Sequence, residues 1–442
     1  MQDALSEVLT ISAKAKHNSM SYQRSKFAIT VCLLMALFSP LNAHGSALDL
    51  FGYGARGAAL GGAIATSARG HSAVYYNPAA LTLATAPSFS IAFQHASFDL
   101  SINGLNHPTQ SSPALILGFG IPLPFGGDLA NRISLGFGFV LPQGAILLAR
   151  TAKPSEPSFI LLETRAQTLS AQLALGIRVL DKLSIGVGAL ALATLEGSID
   201  AGPSITGEVS AQVQDSLIAH FAPVVGVLVG PYWDFKFALS WRGESLAKYS
   251  IPVTAELGTS VEIPIPPLNI AGTAQYDPHQ ARAEISYHGL EFISLSLAAT
   301  YKGWSNFENP IEYPAASETY PAQPEPVFED TLVLHTGIEA HINWKSCLWE
   351  PRLGYTFEPS PAPQQTDFHN YLSNDRHILG AGLGIGYSDF TLDFAGQVHA
   401  LTPRTHQKDA ALADQEPLNP GYPSVSHRGY IFLWAAELGV QF

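Results

Sequence analysis

The stretch from Tyr430 to Phe442, YIFLWAAELGVQF, decides the fold class. Successive strand residues point to opposite faces, and all seven even-numbered residues of this stretch are apolar. Aromatic residues lie at both ends of that face, as in a strand that faces lipid between two interfacial girdles. The stretch predicts a membrane β-barrel whose Glu437 and Gln441 face the lumen or its periplasmic mouth. The alternative is an edge strand of a soluble β-sandwich, whose apolar face would then have nothing obvious to pack on.

Three aromatic residues of this strand, Tyr430, Trp434 and Phe442, also carry a prediction about partners. A barrel strand that ends in phenylalanine resembles the signal that the bacterial barrel-assembly machinery reads. We therefore expect that machinery and outer-membrane lipid as partners, and the bacterial outer membrane as the location.

The composition supports a membrane protein. Charged residues make up 13% of the 442 residues, about half of the ~25% found in typical soluble domains. Beyond the N-terminus, the longest apolar run is Leu217 to Gly230, which is short of the ~20 residues that a membrane helix needs. Since only helices and closed barrels satisfy every backbone group in lipid, we expect one barrel rather than helices.

The N-terminus is typical of a secretory signal peptide. Arg24 and Lys26 precede an apolar run from Phe27 to Phe38, followed by small residues. The candidate cleavage sites follow Ala43 and Ala47. The residues before Met20 exceed what a signal needs, so a start at Met20 would give a conventional one. A membrane-anchor helix is the alternative, but the run is short for one.

Charge and cysteine content exclude several functions. The net charge of −13 becomes −15 without residues 1–47, which carry four basic and two acidic residues. An acidic surface argues against nucleic acid as a partner. Cys32 lies in the apolar core of the signal, which leaves Cys347 alone in the exported chain. We therefore expect no disulfide, no thiolate metal site and no cofactor.

The alternating pattern recurs along the chain. It is clearest from Ile133 to Leu141, and a hairpin is predicted where two such segments flank Asp181-Lys182. About 14 or 15 segments qualify, and because single-chain bacterial barrels favour even numbers we predict an all-β, antiparallel transmembrane barrel of about 14 strands. The long polar connections, which we expect to be extracellular, are Ala247–Pro267, Asn306–Asp330, Glu358–Asn374 and Thr402–His427.

The first strand is irregular. Phe89, Ile91 and Phe93 share one parity, whereas Phe98 and Leu100 share the other. A change of parity within one run predicts a β-bulge near residues 94–97. Two short segments joined by a bend would give the same pattern.

Three regions follow from these patterns. Residues 1–47 form the N-terminal extension and signal peptide, and residues 87–442 form the barrel. Residues 48–86 are rich in glycine and alanine, only weakly periodic and too few to fold alone. They are expected to form either a periplasmic extension or a plug in the lumen.

Four stretches resemble the FadL/TodX family of outer-membrane transporters for long-chain fatty acids and other hydrophobic compounds. The stretches are Gly54–Ala63 with Tyr75–Leu81, Ser240–Ser245, Tyr301–Phe307, and Arg352–Phe357 with Ser360-Pro361 and Asn374–His377. The second departs from the family pattern, with Trp241 in place of tyrosine and an inserted Gly243-Glu244. Their order and spacing cover nearly the whole exported chain.

The resemblance implies that residues 48–86 form a hatch in the lumen, marked by Asn77, Pro78 and Ala79. An Asn-Pro pair favours a turn, because proline fixes its own φ and restricts the residue before it. The simpler interpretation is an ordinary turn before the first strand. As a hatch, the segment would have to move to admit a ligand.

Three arginines are candidates for the ligand head group or the lumen wall: Arg242, Arg352 and Arg376. An inward arginine in an apolar lumen can bind a carboxylate. Alternatively, each pairs with an acidic residue inside the barrel, as Asp375 beside Arg376 suggests. The many inward Gly, Ala and Leu residues predict an apolar lumen, which suits a hydrophobic ligand better than an ion.

No catalytic or metal-binding motif is present in the sequence, so the prediction is a protein that is not an enzyme. His335 and His341 share a strand face but lie roughly 20 Å apart, too far to share a metal. The expected function is passive uptake of long-chain fatty acids or other hydrophobic small molecules. The alternatives are a PorV-like adaptor for protein secretion or surface attachment, a general porin, and an outer-membrane hydrolase.

Overall fold

The computed structural model describes residues 47–142, 156–163, 169–203, 209–255, 268–308, 325–367, 369–412 and 421–442. The predicted signal peptide, the start at Met20 and Cys32 lie outside the described residues. The rest is dominated by strands, with short helices near the N-terminus and in some connections.

The strands are β1 (Ser88–Ile102), β2 (Leu105–His107), β3 (Ser112–Pro122), β4 (Ile133–Pro142), β5 (Ser170–Leu180), β6 (Leu183–Pro203), β7 (Val209–Tyr232), β8 (Phe235–Arg242), β9 (Ser245–Ala255), β10 (Leu268–Asp277), β11 (Gln280–Tyr287), β12 (Ile293–Lys302), β13 (Thr331–Ala340), β14 (Ile342–Trp344), β15 (Cys347–Glu358), β16 (Arg376–Tyr387), β17 (Phe390–Gln407) and β18 (Ser424–Gln441). The helices are α1 (Ala47–Phe51), α2 (Gly54–Ala59), α3 (His71–Tyr76) and α4 (Ile160–Glu163), and 3₁₀-helices cover Pro78–Leu83, Gly127–Leu129, Trp304–Asn306 and Ala410–Leu412.

These strands form one closed barrel of 14 antiparallel strands. Four spanning strands consist of two consecutive pieces each, namely β2 with β3, β8 with β9, β10 with β11, and β13 with β14. The ring closes between β1 and β18, where Ser88 lies opposite Gln441 and Ile102 lies opposite His427. The predicted strand number is confirmed. Besides the ring, β6 and β9 also pair in parallel, with Leu195 opposite Tyr249.

The connections alternate in length and give the barrel its orientation. Two-residue turns at Asp181-Lys182, Trp233-Asp234 and Ser388-Asp389 lie at the end of the barrel that holds the C-terminus. The long connections lie at the opposite end. Because outer-membrane barrels have short periplasmic turns and longer extracellular loops, the C-terminal end is periplasmic.

The outer face carries the apolar belt that the sequence predicts. On β18, Tyr430, Phe432 and Trp434 are exposed, whereas Ile431 and Leu433 are buried inside the ring. The same alternation holds on β13, where Leu332 and Leu334 are exposed. Within the described ranges, no helix is long and apolar enough to cross a membrane.

The first strand is continuous, so the expected bulge and the expected bend near residues 94–97 are both wrong. Its register against β18 runs without a shift from Ser88 to Ile102. Phe89 is therefore directed outward, whereas Phe98 and Leu100 are directed inward, where Leu100 is fully buried. The parity changes because the interior is apolar near the extracellular end.

Residues 47–83, here called the N-terminal segment, form compact turns of helix that contact strands all round the ring. Helix α2 contacts β1 and β15 to β18, helix α3 contacts β3 to β5, and the 3₁₀-helix Pro78–Leu83 contacts β3 to β7. Most of its apolar side chains, including Phe51, Tyr53 and Leu81, are almost completely buried.

Candidate functional site

Glycines on the inward face of the barrel wall make room for the N-terminal segment. A Cβ atom added at Gly138 would lie 2.1 Å from the Tyr53 hydroxyl oxygen, and one at Gly226 would lie 2.0 Å from Asn77 Oδ1. A Cβ atom at Gly354 would lie 2.3 Å from a backbone carbon of the segment. Such distances leave no room for any side chain, so the N-terminal segment can pack this closely on the wall only where these residues are glycine.

Asn77 fixes the second half of the segment. Its Oδ1 accepts a hydrogen bond from the Ala79 amide at 3.1 Å, which caps the 3₁₀-helix that begins with Pro78. Its Nδ2 donates to the carbonyl oxygens of Ala65 and of Val227 on β7, at 3.2 and 3.1 Å. The Asn-Pro-Ala motif therefore forms a helix start that is bonded to the barrel wall.

Wall side chains bond the backbone of the segment from several sides. Glu284 on β11 accepts hydrogen bonds from the amides of Ala65 and Thr66 at 2.8 and 2.9 Å. Across the barrel, Glu437 on β18 accepts from the Ala55 amide at 2.9 Å. Gln397 on β17 donates to a backbone carbonyl of α2 at 2.7 Å. The predicted inward direction of Glu437 is confirmed by this contact.

A buried ion-pair network joins the segment to the wall. Arg56 forms two hydrogen bonds with the Glu339 carboxylate, at 2.8 and 2.7 Å. Arg352, whose side chain is 1% exposed, also binds Glu339 at 2.7 Å and pairs with Glu350 and Asp393. All three donor nitrogens of Arg352 are thus occupied by carboxylates.

Arg242 and Arg376 belong to a second network. Arg242 donates to the Tyr75 hydroxyl at 3.1 Å and to Gln280 at 2.9 Å. Arg376 pairs with Glu358, which also accepts a hydrogen bond from Lys302 at 2.8 Å.

The expected pairing of Arg376 with Asp375 is wrong. Adjacent strand residues point to opposite sides, and Asp375 instead accepts a hydrogen bond from the Ser360 amide at 2.8 Å.

One nitrogen of Arg376 remains available. Its side chain is 9% exposed, and its Nη1 atom is buried with no hydrogen-bond partner among the described residues. Arg376 lines a small cavity together with Phe159, Leu162, Leu372 and Leu401. Glu358, Ser373 and Asn374 also line it, so the cavity combines apolar walls with the Arg376–Glu358 ion pair and one buried cationic donor nitrogen.

This cavity measures about 20 Å³. It lies within a closely packed apolar cluster between the N-terminal segment and the extracellular loops, here called the apolar chamber. The chamber is formed by Phe51, Phe98, Leu100, Phe159, Leu162, Leu372 and Leu401. A neighbouring aromatic cluster contains Tyr276, Trp304, Phe307 and Phe328, with the rings of Phe307 and Phe328 stacked at 4.6 Å. The apolar lumen expected from the sequence is therefore found in the extracellular half.

The periplasmic half of the lumen is polar. A cavity of about 490 Å³ is lined by Arg69, Lys236, His288, Glu350 and Asp393, among others. A hydrogen-bonded chain along its wall runs from Ser294 through His341 to Glu350, with both steps at 3.2 Å. In the described part of the chain, no group of three or more His, Cys, Asp and Glu residues is placed to hold a metal.

These features define a class of protein. A closed 14-stranded barrel has a lipid-facing apolar belt, an apolar chamber on its outer side and an interior filled by its own N-terminal segment. Such a molecule is an outer-membrane channel with an occupied lumen.

The chain belongs to the family of outer membrane protein transport proteins (OMPP1/FadL/TodX), whose family model matches residues 36–424. Members are outer-membrane channels for hydrophobic compounds, not enzymes. No curated protein sequence matches the chain significantly.

Solved structures of this family share the fold. A Pseudomonas aeruginosa FadL homologue is 13% identical, with a TM-score of 0.60 over 88% of this chain and 98% of the homologue. The toluene transporter TodX of P. putida is 13% identical, with a TM-score of 0.55 over 89% and 99% of the two chains. The toluene transporter TbuX of Ralstonia pickettii is 16% identical, with a TM-score of 0.51 over 89% and 99%.

The sequence offered the three arginines, the Asn-Pro-Ala motif and the inward glycines as candidates, but not the role of those glycines as a contact surface for the N-terminal segment, nor Glu284, Glu339 and Glu358. The glycines leave a signal, because Gly136 and Gly138 alternate along one face of a strand. An inward run of glycines marks a place where another backbone approaches closely. The partners of the carboxylates leave no local signal.

Proposed function

We propose that this channel takes up long-chain fatty acids or similar hydrophobic carboxylates by passive diffusion. The observation that carries the proposal is the Arg376 guanidinium, buried at the edge of the apolar chamber with a free Nη1 donor. The side chains of the chamber would have to move apart to admit an alkyl chain, because the cavity between them measures about 20 Å³. The carboxylate would then bind Nη1 by a charge-assisted hydrogen bond. Arg352 does not play this part, because carboxylates occupy all three of its donor nitrogens. Arg242 also has a buried nitrogen without a partner among the described residues, Nε, but it lines a cavity with Tyr75 and Tyr76 of the N-terminal segment rather than the apolar chamber.

The N-terminal segment acts as the hatch in this proposal. It occupies the space between the chamber and the periplasmic cavity, so a ligand passes only when part of the segment moves. Binding energy supplied by the ligand has to offset the contacts that are lost, since a ligand shifts an equilibrium only by its differential affinity for the two states. No energy source is needed.

Uptake of labelled oleate by cells is the basic test. Cells that display the intact chain should take up oleate faster than cells with an empty vector. Equal uptake despite verified surface display would refute transport of this cargo and leave the secretion-adaptor function as the better explanation.

Arg376→Gln tests the head-group role more finely. Glu358 keeps Lys302 as its partner in this variant, so no carboxylate is left unpaired. A hydrogen bond to a charged group contributes ~1.5–3 kcal/mol, so oleate uptake should fall at least about tenfold. Uptake of oleyl alcohol, which has the same chain and no carboxylate, should change little.

Arg132→Gln is the matched control, because Arg132 lies at a periplasmic turn and pairs with the exposed Asp181. It should leave uptake of both compounds unchanged. An equal fall for oleate and oleyl alcohol in the Arg376 variant would show that Arg376 supports the wall rather than the ligand.

A further inference from the structure

Two buried histidines form a direct pair at the extracellular end of the barrel. His406 lies near the end of β17 and His427 near the beginning of β18. Their rings are nearly parallel, with centroids 5.0 Å apart and an interplanar angle of 14°. Their Nε2 atoms are 3.0 Å apart, and both side chains are almost completely buried.

The neighbours of the pair fix the tautomer of each ring. The Gln365 amide donates to His406 Nδ1 at 3.1 Å, so that nitrogen carries no proton. Neutral His406 is therefore protonated on Nε2 and donates to His427 Nε2. His427 must then carry its proton on Nδ1, and it donates to Asn374 Oδ1 at 2.8 Å. Each of the four ring nitrogens makes one hydrogen bond, and each acts either as the donor or as the acceptor.

This chain of hydrogen bonds exists only when both rings are neutral. An added proton has two places to go, His427 Nε2 or His406 Nδ1, and each of them already accepts a hydrogen bond. Two donors would then face each other at hydrogen-bond distance, and one contact must open. A proton on His406 Nδ1 opens the contact with the Gln365 amide in the loop, and a proton on His427 Nε2 separates the two rings that hold both loop contacts together.

The charged groups around the pair offer nothing to stabilise an imidazolium. The flanking side chains along the chain are the cations Arg404, on β17, and Lys408, directly after that strand. In the loop between β15 and β16, Asp367 is bonded to His369, and Asp375 to the Ser360 amide. Within the described residues, neither imidazole of the pair is hydrogen-bonded to a carboxylate. A further titratable side chain, His107 on β2, packs at a tilted angle against Phe159.

The loop that the pair holds lies over the apolar chamber. Gln365 and Asn374 both belong to the β15–β16 connection, and Leu372 in the same loop packs into the chamber. Phe159, another chamber residue, packs edge-on against the His427 ring at 5.7 Å. The pair therefore joins two barrel strands to the roof of the chamber.

We propose that His406 and His427 form an acid-released latch that fastens the β15–β16 loop over the chamber. The latch is closed at neutral pH and opens when either ring is protonated. Released loop residues uncover Leu372 and Phe159 to the outside. The inference goes beyond the proposed cargo, and only its consequence for uptake rests on that function.

A distance measurement between spin labels tests the latch without any ligand. One label at Gln364→Cys reports on the loop, and one at Asn106→Cys reports on the barrel rim, since both residues are exposed. Cys347→Ser removes the remaining described thiol. Distances are measured by double electron–electron resonance in lipid nanodiscs from about pH 7 to about pH 3.5, which spans exposed and buried imidazole titration.

The expected result is a narrow distance distribution at neutral pH that broadens and lengthens in acid. The matched variant His406→Gln with His427→Gln keeps polar groups that can bond but cannot be protonated on a ring, so its distribution should not change with pH. A distribution that is independent of pH in the parent protein would overturn the latch. An acid response of equal size in the glutamine variant would also overturn it, because acid would then act elsewhere.

Discussion

The extracellular half of the lumen is lined mainly by apolar side chains, and the periplasmic half mainly by charged and polar ones. On the extracellular side, Phe98, Leu100 and Leu372 enclose an apolar chamber with one free arginine nitrogen at its edge. Around and below the N-terminal segment, arginines and carboxylates form buried ion pairs such as Arg56 with Glu339. An apolar chamber accepts many hydrophobic shapes, whereas buried ion pairs require fixed geometry. The difference indicates that the outer half receives the ligand and the inner half holds the segment in one position.

The largest effect is expected from Glu339→Gln in the charged half. Removing one partner of a buried ion pair leaves uncompensated charge and costs ~3–5 kcal/mol, and here both Arg56 and Arg352 lose a partner. The urea midpoint for unfolding from lipid vesicles should fall accordingly. The control is Asp181→Asn, whose side chain is 92% exposed, and it should change the stability by less than ~1 kcal/mol. Equal effects of the two changes would show that the network does not hold the segment.

A smaller effect is expected from Gly138→Ala. The new methyl group would overlap the Tyr53 hydroxyl, and forced repacking of this kind costs ~1–3 kcal/mol. Gly396→Ala is the matched control, because that glycine lies on the outer face of a strand with its nearest neighbour 3.8 Å away. A thermal-unfolding comparison should show a loss for the first variant and none for the second. No loss at Gly138 would mean that the segment has room to shift.

Leu372→Asp should weaken ligand binding in the apolar chamber without changing the buried ion pairs around the N-terminal segment. A carboxylate among the chamber side chains would repel a fatty acid and favour hydration, so oleate uptake should fall by about tenfold, which corresponds to ~1.4 kcal/mol. Leu372→Met keeps the wall apolar and should retain uptake. Thr366→Asp, at an exposed position in the same loop, controls for loop charge. If Thr366→Asp is as harmful as Leu372→Asp, the chamber is not the receptor.

The smallest effect is expected from Asp367→Asn in the β15–β16 loop, and it depends on pH. A hydrogen bond from His369 lowers the pKa of Asp367 to about 2. A lowered pKa contributes stability that is present above the unfolded value of ~3.9 and is lost as the pH falls towards about 2. Because the Asp367 side chain is 48% exposed, the contribution should stay below ~1 kcal/mol. Amide exchange in the loop should therefore differ slightly between Asp367→Asn and the parent at neutral pH, and the difference should disappear as the pH falls through about 2.

Strands β18 and β1 differ in how well the sequence predicts them. The outer face of β18 was predictable because Tyr430, Phe432 and Trp434 occupy alternate positions of one strand. A face that contacts lipid requires apolar side chains at such positions. Phe98 and Leu100 were misinterpreted as a bulge or bend because their inward apolar contacts come from distant parts of the chain, including Phe51. The alternation of residues within a strand shows which of its two faces is apolar. It does not show whether that face points into the barrel or towards the lipid.

The candidate site shows the same limit. Arg376 and Asn77 are candidates from the sequence, but their partners lie 18 and 150 positions away, at Glu358 and Val227. Such contacts are set by the shear and closure of the barrel. They are absent from any local pattern of the sequence.

The most direct test of the account is to tether the N-terminal segment to the wall. The Ala63 Cβ atom lies 3.4 Å from the position of a Cβ atom at Gly337 on β13, close to the ~3.5–4.5 Å of a disulfide. Ala63→Cys with Gly337→Cys, in a Cys347→Ser background, should form that bond on oxidation. Oxidised cells should lose oleate uptake and regain it on reduction, whereas each single-cysteine variant should be unaffected by the oxidant. Undiminished uptake with the disulfide fully formed would contradict the account, because the ligand would then pass without movement of this part of the segment.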